Sequence, residues 1–424
     1  MKKSHALLVG LLAFAFRLWV GWSVFLHPTE ASSPDGNGYH QLAAALTHGQ
    51  FPSLFRTPGY PLFLALLGAT SSEQITVVLL VQMLLDALTA VLLMAVAWQL
   101  FQDQRAALLT GFCYAFCPVM ARLCAYILSE QLAIFLLIAS LFLALTFRGW
   151  VSVWLQSLGW FAATMVRPSF FLLPLIVSAF LLARPALQLV WKRQAAVVGL
   201  YLLLLLGWIG FNYARSGLAV ISTNPQVSFY IYEPPTVRLV DQLSWPQYIR
   251  LAVLNPPEFD RQFAMQEKAI AHQVAALTPP PDNLWFMQDD PRAIQETGAK
   301  AGALVQGRWP TLLGIHLIGV LQSLRPVWNS ADVLNRVLDA LRMLLLPVAV
   351  WWLVRRRQWW LLGLLLVWTT YALLPPGPVG AWRFRSLAEP VFSLTLATAL
   401  SFGWRALLPK QQPQTIWRKN VVSS

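Results

Sequence analysis

The chain of 424 residues is 57% hydrophobic and only 12% charged, carries 20 Trp, and has a mean hydropathy of +0.56. That balance excludes an ordinary soluble domain and predicts an all-α integral membrane protein, since about 20 apolar residues make one helical crossing. The net charge of +13 does not indicate nucleic acid, because the basic residues are scattered along the edges of apolar runs, where topology and anionic headgroups account for them.

The first apolar run, Ala6–Leu26, follows Lys2 and Lys3. Arg17 and Trp residues interrupt it, it is longer than the core of a secretory signal, and no clear small-residue cleavage site follows, so it reads as a retained span. The stretch Ser33–Leu67, SPDGNGYHQLAAALTHGQFPSLFRTPGYPLFLALL, brings Asp35, Tyr39, Arg56 and Tyr60 to a membrane edge. Leu42, Ala43, Ala45 and Leu46 recur at helical spacing, which predicts a short surface helix with Asp35 at or just before its N-terminus. There the carboxylate either caps the helix or belongs to a site at the mouth of the first span. Pro58, Gly59 and Pro61 predict a sharp bend that holds Arg56 near the headgroup plane, and Pro61–Leu67 is too short to cross.

Further spans are predicted over Ile75–Leu100, Ala107–Val119, Ile127–Phe147, Val151–Val166, Phe170–Leu182, Ala195–Tyr213, Leu338–Val354, Trp359–Leu374 and Leu387–Trp404, about ten in all. With a cytoplasmic N-terminus, Arg105, Arg148, Arg184, Lys192, Arg193 and Arg355–Arg357 fall in cytoplasmic loops, and Arg405, Lys410, Arg418 and Lys419 in a cytoplasmic tail, as the positive-inside rule requires. The expectation is a multi-pass protein of the cell membrane, both termini cytoplasmic and any active site extracytoplasmic. Thr311–Trp328 is apolar, but counting it as a span would put Arg355–Arg357 outside, so it reads as a helix in the outer interface. Arg17 and Asp86, each inside a span, are expected to pair. Cys113, Cys117 and Cys124 form no CxxC and have no His partner, so they read as small packing residues.

Four segments follow. Residues 1–213 form an N-terminal membrane domain with a first outer loop at 27–74, and residues 214–337 an extracytoplasmic cap with interfacial helices. Within the cap, Glu258–Ala276 is an amphipathic helix that Thr278–Asp282 ends. C-terminal transmembrane helices occupy 338–404 and a basic tail 405–424.

Chemistry-bearing residues gather at the outer span ends: Asp35, Arg56, Glu130, Arg167, Asn212, Arg383, Arg385 and Glu389. Snorkelling explains any one arginine, but so many on one face point to a carboxylate-and-arginine site. The chain has no GxxxxGK[ST] loop and no HExxH, and its six histidines are too dispersed for a metal triad. A site of this composition suits a substrate with an anionic headgroup and a lipid tail.

In order along the chain, Asp35, Tyr39, Leu42, Ala43, Leu46, Gly49, Arg56 and PGYPLFLALL at Pro58–Leu67 precede Ser129-Glu130, Arg167-Pro168-Ser169, Arg383-Phe384-Arg385 and Glu389-Pro390. This series resembles bacterial membrane glycosyltransferases of the GT-C superfamily, in the family 39-like clan of protein O-mannosyltransferases and aminoarabinose transferases. The resemblance implies a polyprenyl-phosphate-linked sugar as donor and transfer on the outer side of the membrane. It also implies that the first outer loop supplies the essential acid, which maps to Asp35. Where the mannosyltransferase branch carries an Asp-Glu pair, this chain has Asp35-Gly36.

On that reading Asp35 is the general base and Glu130 a second acid, while Arg56, Arg167, Arg383 and Arg385 face the lipid phosphate and Tyr39 and Tyr60 line the sugar path, with Trp328 and Trp382 as further aromatics. No cofactor is assigned with certainty and a divalent metal is left open. The expected partners are the donor, membrane lipids and an acceptor that is lipid, glycan or protein. Two other classes compete: a polymerase or ligase using a lipid-linked oligosaccharide, and a transporter or flippase without covalent chemistry.

Overall fold

The computed structural model describes residues 2–407 apart from 32, 52, 72–73, 148, 185–190, 276–288, 326–332 and 381. Expectations that fall on Arg148, Thr278–Asp282, Trp328 and the tail beyond residue 407 lie outside the described residues. All regular structure among the described residues is helical.

The N-terminal half runs through α1 (Lys3–Val20), α2 (Trp22–Leu26), α3 (Pro34–Thr47), α4 (Gly59–Leu66), α5 (Ile75–Phe101), α6 (Gln104–Ala115), α7 (Pro118–Leu123), α8 (Glu130–Thr146), α9 (Trp150–Val166), α10 (Leu173–Leu182) and α11 (Trp191–Ser216). After it come α12 (Asn224–Gln242), α13 (Trp245–Ile249), α14 (Pro256–Val274), α15 (Pro291–Ala303) and α16 (Trp309–Leu324). The chain then returns through α17 (Val333–Arg355), α18 (Trp359–Leu373) and α19 (Glu389–Leu407).

Among the described residues four helices are long and apolar enough to cross a membrane: α1, α5, α11 and α17. Apolar helices of 10–17 residues lie at Glu130–Thr146, Pro168–Leu182, Trp309–Leu324 and Trp359–Leu373. Other runs read from hydropathy form single helices of 10–17 residues, as α8, α9, α10 and α18 do, or are broken. Ala107–Val119, for example, is cut at Phe116 and Cys117: α6 ends at Ala115, and α7 starts at Pro118, which has no N–H to continue a helix.

Helix α5 is central and packs on α1, α6 and α8, while α9 joins α8 to α11 and α19 packs on α6 and α17. Polar groups turn inward and apolar ones outward. Gln82, Asp86 and Thr89 on α5 are fully buried, whereas Val77, Leu84 and Leu88 on the same helix are exposed. That is the inverse of a water-soluble bundle and suits a hydrocarbon solvent. The expected pair forms: Arg17 Nε donates to Asp86 Oδ2 at 2.7 Å, both side chains without exposed surface. Tyr114 donates to the other carboxylate oxygen at 2.8 Å, so Asp86 is satisfied on both sides. All three cysteines are free thiols.

Helices α12, α14, α15 and α16 make a cap with cores of its own, one around Tyr248, Phe259 and Ile315, the other around Phe55, Ile231, Ile270 and Ile294. The predicted amphipathic helix is α14. Helix α16 turns Trp309, Leu313, Leu317 and Leu321 outward in one exposed apolar stripe at a spacing of four residues, the pattern of a helix lying in an interface. Its other face carries His316, which bridges Glu233 on α12 at 2.8 Å and the Leu374 carbonyl at 2.8 Å. Gly319 meets the loop at Gly377–Gly380 so closely that a Cβ there would collide with the Gly377 carbonyl.

Candidate active site

Helix α3 begins where the sequence predicts, but its cap is Ser33, whose Oγ accepts from the Gly36 N–H at 3.0 Å. Asp35, in the first turn, is thereby released from capping. Its two oxygens accept from two arginines far apart in the chain: Oδ1 from Arg56 Nη2 at 2.8 Å and Oδ2 from Arg383 Nη1 at 2.7 Å. Arg383 also donates through Nε to Glu130 Oε1 at 2.6 Å, and the same oxygen lies 3.1 Å from Arg167 Nη1. One continuous chain of ion pairs therefore runs Arg56, Asp35, Arg383, Glu130, Arg167.

Each member stands at an element end, which is why they meet. Glu130 opens α8, Arg167 closes α9, and Arg383 precedes the short turn Phe384–Ala388 that leads into α19. Arg56 lies just ahead of α4. The Pro58-Gly59 pair proves to be the start of that helix rather than a bend, and Gly59 is needed because a Cβ would strike the backbone at Met165 and Val166, where α9 ends. Tyr39 lies beneath the Arg56 guanidinium, 4.3 Å from ring centroid to carbon, and its hydroxyl donates to Ser129 Oγ at 3.3 Å, which also accepts from Arg167.

The chain of charge is graded in exposure. Asp35 is 36% exposed and Glu130 not at all. Burial raises the proton affinity of Asp35, but the guanidiniums of Arg383 and Arg56 outweigh it and hold the carboxyl well below the usual range. Three guanidiniums against two carboxylates leave one positive charge uncompensated. From the cap, Tyr232 comes close enough to feel these groups: burial, with the charges of Asp35 and Glu267, pushes its phenol up to about 12.

Two sequence-predicted residues go elsewhere. Tyr60 is fully buried, stacked edge-on below Tyr39 at 4.7 Å and donating to Gln82. Arg385, two residues from Arg383, turns into a second, buried cluster, where it pairs with Asp339 and Glu389, and Glu389 pairs with Arg342 at 2.6 Å. Asn212 donates to the carbonyls of Val220 and Ile221, holding the turn after α11.

Arg122 was missed. It closes α7, its guanidinium carbon lies 5.9 Å from the ring centre of Trp382, the neighbour of Arg383, and it makes no ion pair with any described carboxylate. Its single hydrogen bond among the described residues is a long one to the Tyr126 hydroxyl, and its Nε is buried without a partner. Only its place at the C-terminal end of a short apolar segment could have drawn attention to it.

No group of three or more His, Cys, Asp or Glu among the described residues could hold a metal ion. Arg383 fills the place between Asp35 and Glu130 where a cation bridging two carboxylates would sit. As arranged, these residues do not fit a resident divalent metal.

An archaeal oligosaccharyltransferase from Archaeoglobus fulgidus, solved with an inhibitory peptide and a dolichol-phosphate, aligns over 96% of this chain with a TM-score of 0.54 and 13% identity. The chain has a GT-C fold. It spans about half of that enzyme's length, 52%. The aminoarabinose transferase ArnT from Cupriavidus metallidurans, bound to undecaprenyl phosphate, aligns over 92% of this chain and 78% of its own at 14% identity, with a TM-score of 0.38. No family model and no curated protein matches the chain.

Proposed function

We propose that the protein is an integral membrane glycosyltransferase that moves a sugar from a polyprenyl-phosphate carrier to an acceptor at the extracytoplasmic face of a cell membrane. The observation that carries this reading is the ion-pair chain at one end of an apolar bundle: an accessible carboxylate embedded in an excess of guanidinium charge. The GT-C fold supports it, as does the dolichol-phosphate held by a protein of that fold.

In the proposed reaction Asp35 takes the proton of the acceptor hydroxyl. The acceptor oxygen bonds to the anomeric carbon as the bond from that carbon to the phosphate oxygen breaks, and the electron pair leaves with the phosphate. The negative charge that develops there is met by fixed guanidiniums, which cost no reorganisation at the moment of transfer. Arg383 and Arg56 are the pair closest to Asp35, and Arg122, without a carboxylate of its own, is the cation most available to a phosphate.

The ion pairs also supply a trigger. While both oxygens of Asp35 are held by arginines, it is ionised but a weak base. The phosphate of a bound donor competes for the same guanidiniums, which it too can meet bidentately. As they turn to it, Asp35 regains proton affinity when the donor is bound. Glu130, buried and held by Arg383 and Arg167, orients those arginines.

The test is release of free polyprenyl phosphate from a panel of polyprenyl-phosphate monosaccharides by membranes containing wild type or Asp35→Asn. Consumption of one donor by wild type but not by a folded mutant supports the reading. An Asp35→Asn protein as active as wild type removes Asp35 from the mechanism. If no donor is touched even with cell extract as acceptor, a transporter without covalent chemistry takes its place.

A further inference from the structure

The loop that carries Arg56 is built into the cap. Helix α15 is capped by Asp290, whose side chain accepts from the N–H groups of Arg292 and Ala293. Its neighbour Asp289 is free of that duty and reaches across the chain. One oxygen of Asp289 accepts three bonds, from Ser53 Oγ at 2.9 Å, Leu54 N at 2.6 Å and Phe55 N at 2.8 Å. Ser53 Oγ in turn accepts from the Arg56 N–H at 2.8 Å, so the carboxylate and the arginine backbone are joined through one hydroxyl.

Other segments grip the same loop from behind. Arg215, in the last turn of α11, donates to the carbonyls of Phe51 and Ser53. Ser222 donates to the Phe55 carbonyl at 2.6 Å, and the Thr223 N–H to the Leu54 carbonyl at 2.9 Å. The Phe55 ring is 4% exposed and belongs to the cap core with Ile231, Ile270 and Ile294. The N–H groups of Leu54 and Phe55 and the carbonyls of residues 53–55 are thus matched by partners from 160 or more positions away, and the next residue is Arg56.

We propose that Asp289 is a positioning residue, through which the cap holds Arg56 against Asp35. The importance of that pair rests on the function proposed above, but the geometry does not. A carboxylate that collects two backbone N–H groups and a hydroxyl organises the turn as a bound anion would, and its charge makes each bond stronger than a neutral acceptor could. Without it the loop keeps its Phe55 anchor and loses the orientation of the residue that follows.

The experiment measures carbodiimide coupling to Asp35 at pH 5 in the full-length protein in detergent, mapped by mass spectrometry, for wild type, Asp289→Ala, Asp289→Asn, Arg56→Ala and the double variant Asp289→Ala/Arg56→Ala. Coupling requires a protonated carboxyl, so loosening Arg56 speeds it. Asp289→Ala is expected to raise the rate at Asp35 by about fivefold or more. Arg56→Ala should do the same, the double variant should add nothing further, and Asp289→Asn, which keeps an acceptor oxygen but not the charge, should fall between. Rates at Asp241 and Glu258, each paired with an arginine elsewhere in the cap, serve as the reference, since a general loss of structure raises them too. An Asp35 rate unchanged in both Asp289 variants while Arg56→Ala speeds it, or additive effects in the double variant, overturns the proposal. If wild type consumes no sugar donor, the transferase reading falls while this measurement still decides the role of Asp289.

Discussion

Arg383 and Arg385 stand two residues apart and belong to two clusters of the same chemistry with opposite characters. The first joins Asp35 and Glu130 and opens toward the cap, with Arg383 27% and Asp35 36% exposed. The second joins Asp339, Glu389 and Arg342, with Arg385, Asp339 and Glu389 at 0%. A tight turn of three residues per revolution aims side chains two positions apart in divergent directions, so adjacency in sequence says nothing of shared surroundings. The lesson is that a charged cluster is readable as a site by its open end. A sealed cluster has no open end for a ligand, and its charges are matched by one another and by neighbouring backbone, as Arg385 is by the Arg325 carbonyl at 3.1 Å.

The comparison breaks most sharply at one member of each cluster. Asp35→Asn should lower donor turnover by roughly 10²- to 10⁴-fold, as removal of a general base does, with the thermal unfolding midpoint near that of wild type. Arg385→Ala should do the reverse: it leaves Asp339 and Glu389 as buried charges with a partner gone, a loss of about 3–5 kcal/mol seen in thermal unfolding, while the surviving folded fraction keeps its donor KM. Equal unfolding behaviour in the two variants would erase the distinction.

The pH profile sharpens it. The lowered proton affinity of Asp35 means that its ion pairs stabilise the fold above the ordinary carboxylate range and are lost as pH falls below it. Because kcat/KM reports the free enzyme and kcat the donor complex, the acid limb of kcat should lie about one pH unit above that of kcat/KM. Coincident limbs would argue against release of Asp35 by the donor. Arg122→Gln should raise donor KM about tenfold with little change in kcat, as expected for a cation that binds the carrier in ground and transition states alike.

The smallest effect belongs to His316. Burial disfavours its charged form, yet the bond and charge of Glu233 and the Leu374 carbonyl raise its pKa above the ordinary value. A raised value means that the stabilisation is fully present below a pH of about 6.5 and disappears as pH climbs through the raised pKa. Hydrogen exchange in α16 should therefore quicken above neutral pH in wild type and show no such step in His316→Gln.

Much of the candidate site was legible because its residues sit at the ends of apolar runs, where a charge is conspicuous. Asp35, Arg56, Glu130, Arg167 and Arg383 were all found that way, and the structure brings them within hydrogen-bond distance of one another. Arg17 and Asp86 were legible for the same reason, as charges inside spans. Tyr60 and Arg385 were grouped with the site by proximity in sequence, and the packing separates them from its accessible surface. Asp289 gave no local signal, since it lies in a polar stretch where one more acid is unremarked.

What the sequence by itself determined is the solvent and the kind of element: apolar composition demands hydrocarbon, and apolar runs of about 20 residues demand helices there. Those are sums over many residues, and such sums survive any arrangement in space. Which charges meet was decided by the tertiary structure alone. An ion pair depends on a few ångströms, and residues 35, 56, 130, 167 and 383 come that close only because helix ends from across the chain are packed at one end of a single bundle.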